Sequence, residues 1–228
     1  MKMIDANKPI PNYLQKHRKV HEIVMLLLTF VLMPIVSILI VTLTASSVGL
    51  RVVETTVSML AWFNGKLPEI YVWGALNLAL YVYLLKLNLD AQQYSKFMKI
   101  LFYVATGLAM AILLVGLSLP FTEEPSITHS LHNTFAIIGF SMTAGILIVF
   151  CATSFWRNFK QGIIINAMIC FFVISGVFAI PQVNAPESKS FVTAAAQMYI
   201  FSMMHVIMAL NYWFAKFLPN ERESKKIA

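Results

Sequence analysis

The stretch SLPFTEEPSITHSLHNTFAIIGF (residues 118–140) places Glu123, Glu124, His129, His132 and Asn133 just before and within an apolar run. His129, His132 and Asn133 stand at i, i+3 and i+4, on one face of a helix start. With a carboxylate nearby, such a face can hold a divalent metal or a water for hydrolysis. A catalytic zinc needs a third ligand, for which Glu54, Glu69 and Glu187 are the other acidic residues on the same side. A metal-free reading uses the same residues differently. Thr128 or Ser130 caps the helix, and the histidines and asparagine form a polar site at headgroup level. This second reading is adopted, so no metal and no cofactor is expected.

Other polar residues are placed by depth. At about 1.5 Å of rise per residue, Asn77 lies about 12 Å beyond Glu69, and Gln197 about 9 Å beyond Phe191. Both fall in the membrane half that holds His132. The expected ligand pocket is therefore Glu69, Asn77, His129, His132, Asn133 and Gln197. Ser58, His205 and Asn211 are expected to be structural polar groups within the bundle. His205 is about 12 Å deeper than Gln197, at a different depth from His132, which argues against a haem between the two histidines. No span carries a charged residue at mid-depth, which argues against a proton-coupled pump. No polar stripe is present to line a channel.

These residues need a membrane to position them. The chain has 228 residues, 59% hydrophobic and only 12% charged, against about 25% charged in soluble domains. A bilayer core of about 30 Å needs about 20 apolar residues in helical form. Six segments qualify: Ile23–Leu43, Ile70–Leu87, Ile100–Pro120, Leu131–Cys151, Ile163–Ile180 and Phe191–Phe217. The fold class is all-α, a six-helix transmembrane bundle over residues 23–217, with polar tails at 1–22 and 218–228. All but Arg51, Lys66 and Lys189 of the 17 basic residues fall on one side. The positive-inside rule then puts both termini in the cytoplasm, in a multi-pass protein of the plasma membrane. The net charge of +7 reads as topology and affinity for anionic lipid. It is no sign of nucleic acid, because the basic residues form no aromatic-interleaved patch.

Residues 12–23 are expected to form a helical lead-in along the headgroups. His17 and His21 lie on it at i and i+4. The connection over residues 44–68 is expected to hold a short interfacial helix capping the bundle, with Val52, Val53, Val57, Leu60, Ala61 and Phe63 on one face. Asn64-Gly65 then makes a turn, and Pro68 suits the first turn of span two. Cys151 and Cys170 lack a C-x-x-C partner and are expected as small apolar fillers.

Several of these segments resemble the six-span DRAM/Frag/Sfk membrane protein family and a related bacterial family of unknown function. The likeness rests on Val57-Ser58-Met59-Leu60-Ala61 after span one, Pro68-Glu69 and Leu76-Asn77 at span two, Leu119-Pro120-Phe121 after span three, and His132-Asn133-Thr134-Phe135-Ala136 opening span four. It covers roughly residues 50–150. Met59 and Ala61 stand where the family has Asp and Gly, and Gln197 where it often has a glutamate. The resemblance implies a non-transporting protein that binds or organises a lipid, a lipid-linked intermediate or a partner membrane protein. A metal-dependent membrane lipid hydrolase is the alternative, and a substrate-binding subunit of an uptake transporter a further one.

Overall fold

The computed structural model describes residues 16–157 except 53–54, 63 and 121–125, together with 162–164, 166–167, 170 and 194–217. Regular structure among them is helical. Among the described residues five helices are long and apolar enough to cross a membrane: α1 (Lys19–Ser46), α3 (Leu67–Ala91), α4 (Lys96–Ser118), α5 (Ile127–Arg157) and α6 (Ala194–Phe217). A six-residue helix, α2 (Val57–Trp62), lies between α1 and α3. The expected span Ile163–Ile180 falls mostly outside the described residues. Large apolar side chains are exposed along the spans, among them Phe30, Ile35 and Leu39 on α1, Val104 and Leu108 on α4, and Ile137 and Ile148 on α5. Helices that keep such surfaces outward fit a hydrocarbon solvent.

α1 starts before the expected boundary. The lead-in residues from Arg18 onward are helical and continue into the span instead of forming a separate segment. Within α1 the turn Leu27–Leu32 is a π-helix, and Met33 N–H reaches back to Leu28 O. Pro34 follows immediately. Proline has no N–H to give the carbonyl four residues back, and its ring crowds that carbonyl. A locally widened turn is a common way to absorb such a break.

The closest helix pairing joins α4 to α5, and two glycines permit it. A Cβ on Gly116 would stand 3.1 Å from Phe135 Cβ, and one on Gly139 would stand 2.6 Å from Leu113 Cγ. Small residues at a crossing let backbones approach where lipid supplies no hydrophobic drive for association. This approach also brings the last carbonyls of α4 beside the second turn of α5.

α6 runs parallel to α3. Trp73 meets Phe201 edge-on at 5.4 Å, Asn77 O meets His205, and Asn88 meets Met208 O, in the same order along both helices. Two apolar clusters result. The smaller gathers Val41, Ala45, Leu60, Ala61, Ile70, Trp73 and Ala194 beneath α2. The larger holds Met25, Leu84, Leu85, Tyr94, Phe102, Phe150 and Met208 toward the opposite end.

Candidate functional site

The site is built around α2, which is too short to be stable alone and is fastened to three spans. Thr56 caps it, its Oγ1 accepting from Met59 N at 3.1 Å. Gln197 Oε1 on α6 accepts from Val57 N at 3.0 Å. Both satisfy N–H groups that a helix start leaves without partners. Ala194 N donates to Thr55 O at 2.7 Å and Ala195 N to Val52 O at 3.1 Å, which docks the start of α6 on the same loop. Trp62 Nε1 donates to Leu117 O on α4 at 2.9 Å. Gly65, at φ +64°, makes the turn into α3 in a conformation that favours glycine, with Pro68 in the first helical turn.

His132 ties α2 to α4 and α5. It is 2% exposed. Its Nδ1 lies 3.0 Å from Leu119 O and its Nε2 2.8 Å from Ser58 Oγ. A carbonyl oxygen only accepts, so Nδ1 carries the ring proton. In the neutral ring Nε2 is then the acceptor for the Ser58 hydroxyl. Ser58 itself is half-buried.

The other candidates fall into separate groups. Asn133 Nδ2 donates to His129 Nε2 at 2.8 Å, an outward-facing pair on α5. Glu69 faces Lys66 at 3.7 Å at the start of α3. Asn77 is buried, and its Nδ2 donates to Trp73 O at 2.8 Å within its own helix. His205 Nε2 donates to the Asn77 carbonyl at 3.0 Å, linking α6 to α3 at a greater depth. Asn211 is fully buried further along α6. The residues nearest α2 are thus Ser58, His132 and Gln197, while Asn77 and His205 serve the packing of α3 on α6. The two histidines take separate partners, each through its own hydrogen bonds.

Details of the sequence reading change. The start of α5 is capped by Ser126, whose Oγ accepts from His129 N at 3.1 Å, so neither Thr128 nor Ser130 has that role. His132 sits in the second turn of α5 because the helix begins at Ile127, before the expected Leu131. α2 spans only Val57–Trp62, so Val52 precedes it; Val53 and Phe63 lie outside the described residues, as do Glu54, Glu123, Glu124 and Glu187. His21 Nδ1 lies 3.3 Å from Tyr83 Oη. Cys151 is buried, whereas Cys170 is exposed. Among the described residues no three His, Cys, Asp or Glu side chains gather to hold a metal. Thr56, Trp62 and the Leu119 carbonyl were not singled out from the sequence. A Thr three residues before Met59 is a capping signal, but a backbone carbonyl leaves none.

A shallow groove of about 420 Å³ lies on the neighbouring face of α5, lined by Ser126, Ile127, Ser130, Leu131 and Thr134. Tyr71 Oη donates to Ser118 Oγ at 2.5 Å, since that serine donates in turn to Leu114 O at 2.7 Å. Hydroxyl, amide and imidazole groups thus concentrate at one end of the bundle. No family model, curated protein or solved structure matches this chain.

Proposed function

We propose that this chain is a six-span plasma-membrane protein that binds a membrane lipid at the end of the bundle covered by α2. The carrying observation is the concentration there of neutral hydrogen-bonding groups, from Ser58, His132 and Gln197 at α2 to the outward-facing His129–Asn133 pair. Neutral donors and acceptors at the edge of an apolar belt suit the phosphate, glycerol and ester groups of lipids. They do not impose the cost of a buried charge. The resemblance to the DRAM/Frag/Sfk family points the same way, because Ser58, Asn77, His132 and Asn133 lie in the resembling segments.

The sixth span is supported by direction. α5 and α6 both lead away from the α2 end, which agrees with the span expected between them over Ile163–Ile180. The basic residues then place the α2 end outside the cell and both termini inside.

Purified protein in detergent tests the binding reading. Phosphatidylglycerol added to the micelle is expected to raise the melting temperature, as any ligand of the folded state does. The double substitution of His129 and Asn133 by alanine is expected to reduce that rise at least twofold. If neither phosphatidylglycerol nor phosphatidylethanolamine shifts the wild-type melting temperature, the reading fails.

A further inference from the structure

We propose that Ser58 and His132 form a nucleophile–base pair that cleaves an acyl ester of the lipid bound at the α2 end. The inference rests on the lipid-binding reading and gives a chemical role to a serine that the sequence suggested was structural. Three features meet the requirements of such a pair. Ser58 Oγ lies 2.8 Å from His132 Nε2, within proton-transfer distance. The opposite ring nitrogen is fixed by the Leu119 carbonyl at 3.0 Å, which sets the tautomer with Nε2 as the proton acceptor. A buried imidazole on a half-buried serine leaves the nucleophile, and not the base, as the side nearer to substrate.

Gln197 supplies a further part. Its Oε1 accepts from Val57 N at 3.0 Å, the residue before the nucleophile, which holds the Gln197 amide at the start of α2. An amide N–H beside a nucleophile is a donor suited to the oxyanion of acyl transfer. His132 lies about 7 Å along α5 from Ile127, in the second turn of the span and so toward its end, the depth at which a lipid ester carbonyl would meet it.

The step balances with water as the only co-reactant. Ser58 Oγ attacks the ester carbonyl carbon while its proton passes to His132 Nε2. The ester C–O bond breaks, and the leaving alcohol takes that proton. Water then attacks the acyl-serine with His132 as base, releasing the fatty acid and restoring the Ser58 hydroxyl. The Leu119 carbonyl orients the ring through Nδ1 but does not accept the proton, so it is a positioning group.

Full-length protein in lipid nanodiscs is treated with a fluorophosphonate probe, and the modified peptide is mapped by mass spectrometry. The expected adduct is on Ser58. It is expected to be absent from Ser58→Ala, and to form on the order of 100-fold more slowly in His132→Gln, in keeping with loss of a general base. Melting temperature shows that both variants are folded. Wild-type mapping decides the matter even if a variant fails to fold. A wild-type protein that keeps its lipid-dependent thermal shift yet gains no adduct on Ser58 overturns the pair and leaves lipid binding intact. Equal labelling of folded His132→Gln overturns it as well. A Ser58 adduct without any lipid shift keeps the pair and removes the binding reading. Release of fatty acid from phosphatidylglycerol nanodiscs, lost in Ser58→Ala, is the expected turnover.

Discussion

The two ends of the bundle use polar residues in different ways. Where α3 turns into α4, they close on one another. Asn88 Nδ2 donates to Leu84 O at 2.8 Å and to Met208 O at 2.9 Å. Lys99 pairs with Asp90, and the Tyr94 hydroxyl bonds Thr153. Tyr94, fully buried, stacks on Phe150 at 5.7 Å and meets Phe102 edge-on at 5.6 Å. Where α2 covers the other end, neutral polar groups are linked one to another across elements, beside the Glu69–Lys66 pair at the start of α3. Ser58 meets His132 and Gln197 meets Val57, while His129 and Asn133 face outward. At the α2 end hydroxyl, imidazole and amide groups stand beside a groove in the surface. On the lipid-binding proposal, one end is organised for stability and the other offers groups to a ligand.

Substitutions can break this contrast. Tyr94→Ala removes a buried aromatic and is expected to cost roughly 3–5 kcal/mol, measured by reversible denaturation in mixed micelles. The molecules that remain folded are expected to keep their lipid-dependent thermal shift. Asn88→Ala removes the side-chain donor from a carbonyl on each of two helices, for a loss of about 1–2 kcal/mol, again with lipid response unchanged. Gln197→Leu is expected to cost about 1 kcal/mol, because Val57 N–H loses its acceptor, and to remove more than half of the lipid-induced shift. Asn133→Ala, on an exposed position, should change stability by less than about 0.5 kcal/mol while still weakening the lipid response. A lipid response lost in Tyr94→Ala or Asn88→Ala and kept in Gln197→Leu would reverse the assignment of the two ends.

The spans were legible because hydropathy and length alone select helices of membrane size, and α1, α3, α4, α5 and α6 cover five of the six segments expected. Their ends were less so. Lys19 to Glu22 is polar enough to read as a tail, yet a helix already begun continues through it into the apolar run. The π turn had a visible cause in Pro34, but the position where the backbone absorbs the break depends on neighbours. At the site, Ser58, His132 and Gln197 could each be named from sequence. Their partnership could not, because Ser58 and His132 are 74 positions apart, Val57 and Gln197 140, and both links depend on how α2 folds back over α4 to α6. Asn77 shows the opposite case. Its depth suggests a pocket position, but depth does not show that an asparagine in a helix can bond the carbonyl four residues back, as Asn77 Nδ2 does on Trp73 O.

The most direct test is a photoreactive phosphatidylglycerol with its diazirine near the glycerol, irradiated with the protein in nanodiscs and mapped by mass spectrometry. Adducts are expected to concentrate on residues 55–62 and 126–134, and to fall in Gln197→Leu. Adducts spread evenly between that end and residues 88–99, or gathered at the latter, would contradict a lipid site beneath α2.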